Sequence, residues 1–438
     1  MKQIRLLEDP VQKVFLNYLI PSVSATLVTS IYILADTMMI GRGIGAAGIA
    51  ALNILLPLYT TYFGFGMMCG IGGSVLFGFS RGKGNNRSAQ GYFTMALFLA
   101  ALFAVCSVVL SGVFFEPLLK FLGCTPGMRE HAVPYGRILT TVSPAFIMSS
   151  FLQAFVRNDG APKLAMAGVI SGGVTNVVLD YIYIYIMGWG MGGAALATAT
   201  GTTLTVLILS SHFFSKNNHL KLIREFSLKK AGEVLGNGMA SFILEISGGF
   251  VMLLFNRQLL AYVGDIGVVV YGIISNVALV VSSISNGISQ AVQPLLSANY
   301  GAGKTDRVRR GRKLGIGTAL VVGLLFTASG YLIPVPIAGL FLEPTEEIMA
   351  MAVPAIRLYF LSFVFSEWNI MCGTYFQAIV KPKLSLTVTL MRGVILNSLL
   401  VFLLPAVFGV NGIWLVVPVS EAVTAVVVMW FMKKEDAK

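Results

Sequence analysis

Charge is what this chain has least of. Only 11% of its 438 residues are Asp, Glu, Lys or Arg, against about 25% in ordinary soluble domains, too few to hydrate the surface of a soluble protein of this length. Cysteine is sparse as well. Cys69, Cys106, Cys124 and Cys372 have no metal or redox spacing, and three of them fall in apolar stretches where cysteine behaves as a small hydrophobe. They say little about function. The opening stretch, Met1 to Lys13, lacks the short apolar core and small-residue cleavage site of a removable signal peptide, so the first long apolar run is expected to act as the insertion signal. A phosphate-binding loop is missing too. Gly301-Ala302-Gly303-Lys304-Thr305 imitates the end of one, but Ala298 stands where glycine is required, and an apolar span precedes it instead of a strand.

Hydrophobicity fills the space these absences leave: 56% of residues are hydrophobic and mean hydropathy is +0.81. Apolar runs of about 20 residues, enough to cross a bilayer as helices, recur from Val14 to Met432, each closed by a charged or Gly/Pro-rich break. Twelve spans are predicted, near 14–40, 48–79, 88–113, 131–156, 164–187, 191–214, 232–262, 267–299, 308–332, 348–380, 383–404 and 410–432. The net charge of +12 sits mostly in short loops. With both termini in the cytoplasm, Arg81/Lys83/Arg87, the basic residues of 216–230 and 304–313, Lys381/Lys383 and Lys433/Lys434 all share one side. Only Arg42, Lys120, Arg129, Arg137, Arg257 and Arg357 face the other. By the positive-inside rule this predicts a multi-pass protein of the inner (cytoplasmic) cell membrane, with the lipid bilayer as partner and no nucleic acid.

An internal repeat organises the spans. Ala132-Val133-Pro134 with Arg137 recurs as Ala352-Val353-Pro354 with Arg357; Gln153-Ala154 followed by Pro162-Lys163-Leu164 recurs as Gln377-Ala378 followed by Pro382-Lys383-Leu384; Gly82-x-Gly84 matches Gly301-x-Gly303. The offset stays near 220 residues, so each half holds six spans in the same orientation. The fold class expected is an all-α integral membrane protein of twelve transmembrane helices in two parallel-repeat six-helix bundles, related by an axis along the membrane normal. The units are residues 1–215, a cytoplasmic loop 216–231, and residues 232–438. A cavity between two such bundles, opened alternately to each side, is the architecture of a secondary transporter.

Carboxylates inside spans mark where chemistry is expected. Asn176 and Asp180 in span 5 are four residues apart and share a helix face. An ionisable group at such depth costs about 2.5–3.5 kcal/mol on insertion scales, so it should face a cavity or a partner. Asp36 lies late in span 1, roughly 33 Å along the helix, and Asp180 roughly 24 Å along span 5, which puts the two at a similar level in the outer half of the bilayer. Buried carboxyls near a like charge can take up and release a proton near neutral pH. Na⁺ is the rival ion, with Asp36, Asn176 and Asp180 as its ligands and Thr198 as a helper. Taken singly, each threonine of span 6 is expected to bond back to its own helix. In the second half Glu245, Glu367 and Glu421 sit in spans 7, 10 and 12, where they would attract lipophilic cations. Arg392 in span 11 is expected to pair with an acid or with backbone carbonyls. At the position aligned with Asp180 the second half has Val401, so the ion chemistry is expected in the first.

These residues resemble the multidrug and toxic compound extrusion (MATE) family across essentially the whole chain. The resemblance rests on Ala35-Asp36-Thr37-x-x-x-Gly41, Asn176-x-x-x-Asp180, Gly192-Gly193-Ala194-Ala195-x-Ala197-Thr198 and the duplicated Gln-Ala and Pro-Lys-Leu elements. It implies a V-shaped pair of lobes exporting lipophilic organic cations in exchange for H⁺ or Na⁺. It also implies a monomer without cofactor and without enzymatic activity. Positions tied to ion coupling in the family fall on Asp36, Asn176, Asp180 and Thr198, with Tyr135 in the neighbouring helix; the family's span 7 acid falls on Glu245. Where the sodium-coupled branch carries Tyr-x-x-x-Asp in span 10, this chain has Phe363-x-x-x-Glu367. Two competing readings are a lipid-linked saccharide flippase, disfavoured by five deep acids against one deep arginine, and an intramembrane aspartyl enzyme, which would lack its Gly-x-Gly-Asp pattern.

Overall fold

The computed structural model describes residues 5–340 and 345–437. Among the described residues all regular structure is helical, with no strand. In the first half the spans are span 1 (Val11–Gly43), span 2 (Ala46–Gly82), span 3 (Asn86–Val113), span 4 (Pro126–Thr141 and Ser143–Asn158), span 5 (Pro162–Ile186) and span 6 (Gly190–Phe214). In the second they are span 7 (Leu228–Val263), span 8 (Asp265–Gly301), span 9 (Thr305–Leu332), span 10 (Glu346–Ala378), span 11 (Pro382–Phe408) and span 12 (Val410–Asp436). Eleven of these are continuous enough to cross a bilayer unaided, and the two pieces of span 4, bent by 52°, make the twelfth.

The repeat is visible in the breaks as well as in the spans. Span 4 stops at Thr141 because Pro144, in the first turn of its second piece, has no N–H to continue the ladder. Span 10 has Val364 at the corresponding position, and its two pieces, Glu346–Phe360 and Ser362–Ala378, run on as one span. Short surface helices Phe115–Phe121 and Pro334–Gly339 occupy matching places before spans 4 and 10. After those spans the chain turns identically, Ala161 N–H bonding Val156 O and Lys381 N–H bonding Phe376 O. The left-handed residue of that turn is Gly160 (φ 93°) in the first half and Val380 (φ 59°) in the second. A β-branched side chain is strained there, where glycine is not.

Both chain ends lie on one face. Arg307 donates to Leu6 O (2.9 Å) and Arg312 to Asp436 Oδ1 (2.7 Å), so the two ends meet at the start of span 9. On this terminal face the bundles are locked together by glycine. A Cβ on Gly72 would fall 2.2 Å from Val234 O, one on Gly238 1.9 Å from Met68 O, and one on Gly82 2.1 Å from Ala298 O. Gly72 and Gly82 of span 2 thus approach spans 7 and 8 of the other bundle, while Gly66 and Gly70 pack on span 4 of their own. Val14, Phe15 and Tyr18 of span 1 pack with Ile288, Val292 and Leu295 of span 8, and Ser30 bonds Ser283 near the middle of both helices. Beyond that level the spans part: Gly248, Gly249 and Gly272 have open space beside them. The V is closed at the terminal face and open at the opposite one.

Candidate functional site

Spans 1, 5 and 6 approach closely because small residues line their contacts. Gly172 faces the backbone of Gly201, a Cβ there coming 2.6 Å from its carbonyl, and Gly173 lies against the Tyr32 ring. Asn176, three residues further on, donates through Nδ2 to Thr198 Oγ1 at 3.2 Å. Thr198 in turn donates back to Ala194 O (3.1 Å), as Thr200 and Thr203 do to Leu196 O and Ala199 O (2.7 Å each). The threonines thus bond to their own helix, and Thr198 alone of these three also accepts a hydrogen bond from a neighbouring span.

Asp180 is completely buried and its carboxyl faces that of Asp36. Tyr135 of span 4, also buried, lies beside Thr198 and within electrostatic reach of both acids. Four oxygens of this cluster are buried with no protein donor among the described residues: both of Asp180, Oδ1 of Asp36 and Oδ1 of Asn176. Such an arrangement is costly as it stands and asks for a proton or a cation. Directly after Asp180 the helix widens into a π turn, Tyr181–Ile186, and Tyr185 bonds Met39 O (3.1 Å), pinning span 5 to span 1 beside the acids. Beneath them lies a small cavity of about 50 Å³, lined in part by Tyr32, Tyr59, Gln153 and Asn176. Tyr32, Tyr59 and Gln153 were not among the predicted site residues. For Tyr32 a signal existed, since it precedes Asp36 by four residues and shares its helix face; Tyr59 and Gln153 come from other spans and carried none.

The second bundle borders a larger cavity, about 400 Å³ and open to solvent, with Glu245, Arg392 and Glu421 in its wall. Arg392 pairs with Glu421 at 2.7 Å, as expected of a deep arginine, and also donates to Ser366 Oγ (2.7 Å). Asn369 holds the other Glu421 oxygen at 2.7 Å. Glu245 makes no hydrogen bond or ion pair among the described residues. Glu367 is placed elsewhere: completely buried behind the wall, it accepts from Ser285 of span 8 and does not border the cavity. A π turn, Met391–Ile395, carries Arg392, and Asn397 caps its carbonyl at 2.6 Å. This extra residue accounts for the repeat offset rising from 220 at Pro162/Pro382 to 221 at Asn176/Asn397.

A third polar cluster, absent from the sequence-based expectations, ties the connection between the bundles to the terminal face. Asp159, its side chain fully buried, accepts from Arg81 (2.7 Å) and the His219 backbone N–H (2.8 Å) and pairs with the His212 ring (2.9 Å). Nearby, Arg157 crosses to the second bundle and donates to Gln290 at 2.6 Å.

Comparison with known proteins places this architecture. Residues 21–182 and 239–403 each match the MatE family profile, one match per bundle. The multidrug export protein MepA of Staphylococcus aureus (strain MSSA476) is 23% identical over 430 residues, spanning 96% of this chain and 93% of its own. A solved structure described as the outward-facing conformation of a multidrug resistance MATE family transporter superposes with a TM-score of 0.92 at 22% identity, covering 100% of this chain and 98% of the other. A transporter of the MOP superfamily from Pyrococcus furiosus superposes with a TM-score of 0.91 at 21% identity, covering 99% and 98%. With the profile matched in both halves and the V-shaped pair of six-helix bundles in place, the chain is a multi-pass membrane protein that belongs to the MATE transporter family.

Proposed function

We propose that the protein is a secondary antiporter that exports lipophilic organic cations by alternating access, in exchange for H⁺ or Na⁺ taken up at Asp36 and Asp180. The observation that carries this reading is the set of four buried oxygens on Asp36, Asp180 and Asn176 with no protein donor among the described residues. An incoming proton or cation neutralises them, and removing it restores the repulsion, so occupancy changes the free energy of any conformation that alters their spacing. Asn176, Thr198 and Tyr135 orient the pair. Glu245, with no partner among the described residues, is the substrate's counter-charge, while Glu421 acts through its pair with Arg392 and Glu367 braces spans 8 and 10. The basic loops and both chain ends face the cytoplasm of the inner membrane, the open side of the V faces out, and a monomer suffices, since both bundles come from one chain. The bundles correspond to residues 1–215 and 232–438, joined by 216–231.

Ethidium transport in proteoliposomes, driven separately by a pH gradient and by a Na⁺ gradient, tests the proposal. One gradient is expected to drive transport in the wild type and to fail with Asp180→Asn. Transport by neither gradient, or undiminished transport by the variant, would overturn the assignment.

A further inference from the structure

Resting on the alternating-access reading above, we infer that Arg157 is the residue that keeps the closed terminal face able to open: its guanidinium is buried across the junction of the two bundles without a counter-charge, and parting the bundles returns it to water. Arg157 stands in the last turn of span 4 with only 4% of its surface exposed. Among the described residues its one hydrogen bond runs from Nη1 to Gln290 Oε1 of span 8 (2.6 Å), no carboxylate pairs with it, and Nε is buried without a partner. The acid nearest in sequence cannot serve. Asp159 is already taken by Arg81, His212 and His219. The Tyr18 hydroxyl of span 1, within electrostatic reach of Arg157, is likewise buried without a partner among the described residues.

The contact stands in the layer that shuts the cavity off from the terminal face. Gln290 borders the cavity of the second bundle, while Asn158 and Asp159, directly after Arg157, line a hollow on the terminal face. A guanidinium taken out of water and met by a single amide loses more hydration than it regains. A tie made only for packing has no use for that charge, since a neutral donor would hold Gln290 as well. Here the glycine contacts of span 2 with spans 7 and 8 hold the face shut and the buried charge opposes them. That opposition brings the closed and open forms close in free energy, which a cycle between them requires.

Cysteine labelling reads the balance directly. Ser297, fully buried on span 8 against Gly78 of span 2, lies within the closed face. In the purified full chain, with the four native cysteines changed to alanine and Ser297→Cys added, the rate of N-ethylmaleimide labelling measures how often that face opens. Arg157→Met, uncharged and of similar reach, is expected to label about tenfold more slowly than this parent and to melt no lower. Gln290→Glu supplies the missing counter-charge and should also slow labelling. Arg157→Met/Gln290→Glu leaves a buried carboxylate without its cation, and labelling should then exceed the parent's. That reversal marks a role of charge, because a packing contact opens the face further with each loss. Faster labelling by Arg157→Met, parental labelling by Gln290→Glu, or a double variant no faster than Gln290→Glu alone overturns the inference. Gln290→Glu decides by itself if Arg157→Met does not fold. A folded parent that never labels would instead sink alternating access itself, and the inference with it.

Discussion

In the first bundle two carboxyls, Asp36 and Asp180, face each other with no basic side chain paired to either among the described residues; in the second, Glu421 is held by Arg392 and Asn369, and Glu367 by Ser285. The same duplicated scaffold thus supports one site that is electrostatically incomplete and another whose charges are mostly met from within. An incomplete site changes energy when an ion arrives, which suits coupling. A wall whose charges are mostly met, with Glu245 unpaired among the described residues, changes less when an ion arrives.

The contrast can be broken most sharply at Asp180. Asp180→Asn is expected to bring gradient-driven ethidium transport to background while melting no lower than the wild type, because it removes one of two like charges that lack a donor. A matching loss of thermal stability would point instead to a packing role. In the second bundle the order reverses. Glu421→Ala leaves Arg392 buried without its partner and should cost about 3–5 kcal/mol, visible as a lowered melting temperature, whereas Arg392→Met/Glu421→Met should recover most of that. Equal destabilisation by the single and double variants would argue against a coupled pair.

The closed and open faces differ in the same testable way. Gly238→Val would drive a side chain into the Met68 carbonyl and should cost the closed terminal face about 1–3 kcal/mol. Cysteines placed along span 2 near Gly72 should then label faster. The smallest effect is expected at the matched turns. Val380→Gly relieves about 1–2 kcal/mol of left-handed strain but withdraws a side chain that packs with Ile71, Val75 and Met67 of span 2. Net stability should move by less than about 1 kcal/mol, while terminal-face labelling rises. Unchanged labelling would mean that Val380 does not help to hold that face shut.

Much of the fold was legible because bilayer crossing is a one-dimensional property. Apolar length located the spans, although span 7 begins at Leu228, a few residues before its predicted start. The four-residue spacing of Asn176 and Asp180 placed both on the face that meets spans 1 and 6. Tyr59, Gln153, Ser285 and Ser366 were not legible as partners. Nothing in a span's own pattern says which polar side chain of another span will stand opposite it. The buried Asp159 was hidden for the same reason, since Arg81, His212 and His219 lie far from it in sequence.

By itself, then, the sequence determined the number of spans, their division into two repeated sixes, and which spans carry ionisable groups. Those follow from hydropathy and spacing, which act along the chain. Only the tertiary structure decided that Asp36 meets Asp180, that Glu421 is neutralised while Glu245 is not, that Glu367 stands behind the cavity wall, and that the V is closed where the two chain ends meet. A buried charge takes its character from whatever packing brings within a few ångströms, and that is settled between spans rather than within them.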